Sequence, residues 1–230
     1  MLIVVIFVLF CSNIYASERN IQLENNLNNS VFLVFNESKE GKFTWGTGFF
    51  INENNYAVTN YHVVKDNSKL YIGIMRDKNL YNAKIVKADE SLDLALIYVY
   101  GAKNYGYIDF ENECIINELA YTLGFPQDIN TNRPKYTSST GNIIEKNKEY
   151  KDNYYIRINN NVRKGNSGGP ALNINNNCVG IVTMGKENDT YLIPASVVQN
   201  FVSDVNMSSK IYNLFIENSK IPYNLKYYLV

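Results

Sequence analysis

Histidine is nearly missing from this 230-residue chain: His62 is the only one. Any site that needs two imidazoles is thereby excluded. Cysteine is also scarce, at three residues, and Cys11 lies in the opening apolar segment. Cys114 and Cys178 with one histidine are too few for a closed tetrahedral zinc site, and nothing else implies a metal or cofactor. Whether these two cysteines pair stays open, because a bridge needs Cα atoms within about 7 Å. An excess of either charge is lacking too: 22 basic residues face 22 acidic ones, for a net charge of zero. That balance gives no electrostatic case for a nucleic-acid or anionic-membrane partner. The opening run Met1–Phe10 is apolar and uncharged, but too short to cross a bilayer core of about 30 Å as a helix. With the more polar Cys11–Ala16 and then Ser17-Glu18-Arg19, it reads as a signal peptide over residues 1–16, cleaved after Ala16. The mature protein is then secreted or periplasmic. The lack of a basic residue near Met1 and the bulky Ile14 leave a retained anchor as the alternative.

The lone histidine gains meaning from a second motif, Gly165-Asn166-Ser167-Gly168-Gly169-Pro170. A glycine-x-serine-x-glycine elbow of the α/β-hydrolase kind needs its histidine after the serine, and none follows Ser167. A subtilisin order needs an acid before the histidine, yet the first aspartate is Asp66, so that order fails unless a glutamate substitutes. The surviving order is histidine, acid, serine, which belongs to acyl transfer on a pair of β-barrels. Glycines at 165, 168 and 169 can take positive φ and let backbone approach a substrate closely. The amides of Gly165 and Ser167 would then face a developing oxyanion. A glycine turn with an ordinary surface serine is the competing interpretation.

Strand signals recur about every ten residues, separated by Asn, Asp and Gly clusters. Val31–Phe35, Gly48–Ile51, Tyr56–Thr59, Leu70–Ile74, Ala83–Lys87 and Leu94–Val99 supply six strands, enough for one barrel. One helical turn is expected over Tyr61–Lys65. A second six follow in Leu119–Leu123, Tyr136–Ile144, Tyr154–Asn159, Pro170–Asn173, Val179–Thr183 and Thr190–Ile193. The period then changes: Val197, Val198, Phe201, Val202 and Val205 outline an amphipathic helix with Ser196 near its start. A further helical stretch is expected from Ser209 to Asn218, and the aromatic tail Tyr223–Val230 is expected to pack on the body. The fold class is thus all-β, two six-stranded antiparallel barrels over residues 17–104 and 105–194, with a helical tail over 195–230.

The strings Gly46-Thr47-Gly48-Phe49-Phe50-Ile51, Ala57-Val58-Thr59-Asn60-Tyr61-His62-Val63-Val64, Asp93-Leu94-Ala95-Leu96-Ile97 and Gly165–Pro170 resemble the trypsin-like serine peptidases of the HtrA (DegP) type. Cys178–Thr183 and Tyr191–Val198 extend the resemblance over nearly the whole mature chain. It implies a chymotrypsin-like double barrel, endopeptidase activity on polypeptide substrates, unfolded ones included, and a triad of His62, Asp93 and Ser167. Tyr61 departs from the asparagine often found before the family's histidine. Because the chain ends at Val230, shortly after the amphipathic helix, a protease domain without a PDZ domain is expected.

Seven aspartates lie between His62 and Ser167. The acid must be buried enough to hold the imidazole tautomer, so it should head a strand that enters the core. Asp93 does, before Leu94–Val99; Asp89, beside Glu90 and Ser91, looks like a solvated turn. In the family architecture Asn161, six residues before the nucleophile, lies at the base of the primary pocket. Thr183, Met184 and Gly185 form a wall, with Thr190 nearby. With no acid there, a neutral aliphatic side chain is the expected preference. The rival reading is a catalytically silent module that holds polypeptide without turnover.

Overall fold

The computed structural model describes residues 27, 29–75, 78–103, 105–186, 188–208 and 225. The expected signal segment, the helix over 209–218 and, apart from Leu225, the tail over 223–230 lie outside the described residues. Leu225 is buried against the core.

Strands β1 (Val31–Ser38), β2 (Phe43–Phe50), β3 (Tyr56–Thr59), β4 (Asn67–Ile74), β5 (Asn79–Asp89) and β6 (Leu94–Val99) close one antiparallel barrel in the order β1-β2-β3-β6-β5-β4. Strands β7 (Leu119–Gly124), β8 (Thr137–Tyr150), β9 (Asn153–Ile158), β10 (Pro170–Leu172), β11 (Cys178–Lys186) and β12 (Asp189–Pro194) close the second, in the order β10-β11-β12-β9-β8-β7. The helical turn α1 (Tyr61–Val64) follows β3, and helix α2 (Ala195–Val202) follows β12. All twelve expected strands are present, and closure leaves neither sheet with an open edge.

Alternation along β1 shows how the barrels meet. Phe32 and Val34 join Ile72, Ala95, Ile97 and Val99 inside the first barrel. Val31, Leu33 and Phe35 point the other way, into a cluster shared with Leu123, Phe125, Ile193 and Phe201 from the second half. A third cluster, including Ile143, Ile158, Val182 and Leu192, fills the second barrel. Period 2 thus sends one face to a barrel interior and the other to a seam, so β6 is buried at every position.

Several strands are longer than their hydrophobic runs, β2, β5 and β8 by the most. β2 begins at Phe43, β5 spans Asn79–Asp89, and β8 continues through polar residues to Tyr150 with register shifts on either side of Glu145. Backbone ladder bonds, which side-chain hydropathy does not report, carry these extensions. Tyr150 pairs with Asn153 across Lys151 (φ +49°) and Asp152 (φ +63°), a two-residue hairpin whose positive φ values match strand twist. Helix α2 starts at Ala195 after Pro194, so Ser196 falls inside its first turn rather than capping it, and Val205 lies beyond its end. Its buried residues Ala195, Val198, Phe201 and Val202 confirm an amphipathic helix.

Candidate active site

The register of β3 against β6 brings the first two candidate residues together. Thr59 pairs with Ala95, so the chain leaving β3 through Asn60 to His62 passes the residue that enters β6, Asp93. Asp93 adopts φ +55°, a left-handed conformation that aspartate tolerates better than most residues. Its carbonyl accepts hydrogen bonds from the Tyr61 amide (3.1 Å) and from Asn60 Nδ2 (3.0 Å). Its carboxylate accepts from the His62 amide (2.9 Å) and lies against His62 Nδ1, at 2.8 Å to Oδ2 and 3.0 Å to Oδ1. The imidazole side chain is 41% exposed and the carboxylate 22%, so the ring can meet a ligand while its partner is sheltered. Burial pushes the Asp93 carboxyl up. The His62 ring hydrogen bond and charge, the Thr183 hydroxyl and the His62 amide outweigh it, holding the group below its ordinary value. Asp89, the other candidate, turns onto Ser91 Oγ (2.6 Å) and the Leu92 amide (3.0 Å), closing the turn before Asp93.

Ser167 arrives from the second barrel. Gly168 N–H bonds Val182 O (2.8 Å) and Val182 N–H bonds Gly169 O (2.9 Å), extending the β10–β11 pairing back toward the serine. Ser167 Oγ therefore reaches the carbonyl of Thr183 at 3.3 Å, while Thr183 Oγ1 donates to Asp93 Oδ2 at 2.6 Å. One residue of β11 thus links nucleophile candidate and acid across the seam. The serine hydroxyl rests on Thr183 in this structure rather than on the imidazole. Catalytic hydrogen bonds commonly tighten only with substrate present. Thr183 was expected as a pocket wall, but its hydroxyl is committed to Asp93. Sequence offered no signal for this contact, because it forms only when the barrels meet.

Around Ser167 the amides divide into two sets. Those of Asn166, Gly168 and Gly169 bond Arg163 O, Val182 O and Asn166 O. Those of Gly165 and Ser167 donate to no acceptor among the described residues. Gly165 has φ +104°, and a Cβ there would collide with Phe125 O, so only glycine fits. Two unpaired amides flanking the Asn166 peptide match the requirement for an oxyanion site.

The pocket residues gather less tightly. Asn161 is exposed, Met184 is half-buried and Gly185 is exposed, with Gly185 packed against Val162. Thr190 is fully buried, its hydroxyl on Asn160 O at 3.1 Å. Asn160 is buried beside them and bonds Thr122 Oγ1. A cavity of about 310 Å³, lined by Leu92, Lys146, Tyr155 and Ser196 among others, holds none of these site residues.

Cys114 and Cys178 are separate buried thiols. Burial pushes Cys178 up to about 12, and its Sγ donates to Gly180 O. Among the described residues no group of three His, Cys, Asp or Glu side chains could hold a metal, and no helix is long and apolar enough to cross a membrane.

Comparison with known proteins places the chain by family and by fold. The model of the trypsin-like peptidase domain matches residues 46–181, from the glycine before Thr47 into the first half of β11. A probable periplasmic serine endoprotease, DegP-like, from Rhizobium meliloti is 33% identical over 173 residues, 70% of this chain and 33% of that protein. Its namesake from Chlamydia muridarum is 34% identical over 146 residues, covering 60% of this chain and 28% of that one. The chain thus spans about a third of the length of these curated relatives. Among solved structures, the HtrA-type protease AlgW with tripeptide superposes with a TM-score of 0.70 at 18% identity, over 78% of this chain and 60% of that one. The serine endoprotease from Yersinia pestis gives 0.66 at 22%, over 78% and 63%. These two establish the fold, a chymotrypsin-like double barrel, and the matched segment contains His62, Asp93 and Ser167. The chain belongs to the trypsin-like peptidase domain family, and within it is similar to the DegP-like serine endoproteases.

Proposed function

We propose that this protein is a serine endopeptidase acting on polypeptides outside the cytoplasm, secreted or periplasmic. The observation that carries the proposal is the chain of contacts from His62 through Asp93 and Thr183 to Ser167, next to the unpaired amides of Gly165 and Ser167. His62 Nε2 takes the proton from Ser167 Oγ as it attacks the scissile carbonyl, and Asp93 holds the ring by Nδ1 and stabilises the imidazolium. The Gly165 and Ser167 amides receive the oxyanion. His62 then gives its proton to the leaving amine. A water deprotonated by His62 attacks the acyl-enzyme, and the proton returns to Ser167. The relatives' designation as periplasmic serine endoproteases supports both the activity and the location. With Asn161, Thr183, Met184, Gly185 and Thr190 bringing no charge to the primary pocket, valine, alanine or leucine before the scissile bond is the preferred class.

The test is a fluorophosphonate probe together with unfolded casein and a peptide library. Wild type should label at one serine and cleave casein, and Ser167→Ala should do neither while keeping its circular dichroism. Labelling that persists at another serine in that variant would refute the assignment. A folded wild type that binds casein without cleaving it would establish the silent module instead.

A further inference from the structure

We infer that Thr47 is a positioning residue for the oxyanion site, its hydroxyl holding the Gly165 carbonyl so that the amides of residues 165 and 167 stay aimed at one point. The inference rests on the serine-peptidase reading and adds a residue from the opposite barrel to it.

Thr47 lies in β2, fully buried, and each of its polar atoms has a partner on the seam. Its amide donates to Ser167 O at 2.8 Å, and its carbonyl accepts Thr59 Oγ1 at 2.7 Å. Its hydroxyl donates to Gly165 O at 2.7 Å and accepts the Phe125 amide at 3.0 Å. One side chain of the first barrel therefore grips the nucleophile loop and the chain leaving β7. Trp45, two residues earlier on β2, donates Nε1–H to Phe125 O at 3.2 Å, closing the same strap.

Peptide planes explain why one hydroxyl matters. The Gly165 amide belongs to the plane whose carbonyl is Lys164 O, held by Gln127 N–H at 3.1 Å. The Ser167 amide belongs to the plane whose carbonyl is Asn166 O, held by Gly169 N–H at 2.9 Å. Between them stands the Gly165–Asn166 plane, adjoining a glycine at φ +104° with no Cβ to restrict it. That plane is fixed by Asn166 N–H on Arg163 O and by Thr47 Oγ1 on Gly165 O. Removing the hydroxyl frees its carbonyl end and leaves two buried groups, Gly165 O and Phe125 N–H, without a partner, which they can regain only by moving the loop.

The experiment compares wild type, Thr47→Ser and Thr47→Val by kcat, KM, affinity for a peptidyl boronate that forms a tetrahedral adduct, and Trp45 fluorescence. Thr47→Ser keeps the hydroxyl and should stay within about threefold of wild type in kcat/KM. Thr47→Val, nearly the same shape, should lose kcat by roughly ten- to a hundredfold with little change in KM, approaching the loss of one oxyanion donor. Boronate affinity should fall by the same factor, since it reports transition-state rather than substrate binding. Because Trp45 is the sole tryptophan, a shifted emission in Thr47→Val alone would place the change at this strap. If Thr47→Val does not fold, Thr47→Ala carries the comparison without added bulk. A folded hydroxyl-free variant with wild-type kcat and boronate affinity would overturn this inference and leave the peptidase reading standing. Absence of any turnover in wild type would overturn both.

Discussion

Asp93 and Asp89 are both held below the ordinary carboxylate value, so acidity alone does not distinguish them. Their partners do. Hydrogen bonds from Ser91 and the Leu92 amide lower Asp89 within its own turn, whereas Asp93 owes its low value to His62 and Thr183, against the cost of burial. A folded pKa below the unfolded one, about 3.9 for aspartate, means the native state binds fewer protons in that window. The stabilisation is therefore complete above the unfolded value and is lost as pH falls through the folded one. Both Asp93→Asn and Asp89→Asn should flatten the acid limb of a stability profile followed by denaturation between neutral pH and pH 3. Only Asp93→Asn should also lower kcat at neutral pH, by on the order of 10⁴, the loss seen when a triad acid is neutralised and its histidine takes the wrong tautomer. Equal kcat losses would contradict the assignment.

Helix α2 shows how an element is tied to the rest of the fold. Its apolar stripe packs on the seam, but its C-terminal end is met by a lysine from the other barrel. Lys87 Nζ, on β5, donates to Phe201 O at 2.7 Å and to Asp204 Oδ1 at 2.7 Å, and lies 4.9 Å from the Phe201 ring centre. A cation there satisfies a terminal carbonyl and complements the helix dipole. Lys87→Met keeps most of the aliphatic stem and removes the charge, so it should cost about 1 kcal/mol. Urea unfolding at low and high salt checks this, and the deficit should shrink as salt rises. Activity per folded molecule should not change, since Lys87 touches none of the proposed catalytic groups.

At the scale of the whole molecule, the two barrels share one core rather than resting side by side. Val31, Leu33 and Phe35 from the first half and Phe125, Ile193 and Phe201 from the second belong to the same buried cluster. The proposed site lies on this seam, with His62 and Asp93 from one barrel and Thr183 and Ser167 from the other. Unfolding of one barrel would therefore break the site and expose the other barrel's seam face. Phe35→Ala, at a position only 1% exposed, should cost about 3–5 kcal/mol and lower Tm in a single transition. Calorimetry resolving two well-separated transitions would show the barrels to be independent.

Strand and helix identity was written locally: short β-rich runs bounded by Asn, Asp and Gly clusters marked all twelve strands, and the lone His62 with glycine-bounded Ser167 fixed the order of the proposed triad. Strand heading also favoured Asp93 over Asp89, because a residue that opens a fully buried strand is sheltered wherever the chain goes next. The polar extensions of β2, β5 and β8 were not legible, since they depend on backbone pairing that side-chain hydropathy does not encode. Nor were the partners across the seam. Thr183 is read from sequence as pocket wall, and Thr47 falls just before the expected strand Gly48–Ile51; only barrel packing puts one hydroxyl on Asp93 and the other on Gly165 O. Residues 90 and 118 positions apart in sequence meet in these bonds, and such contacts are fixed by the way two closed sheets dock, not by any local pattern.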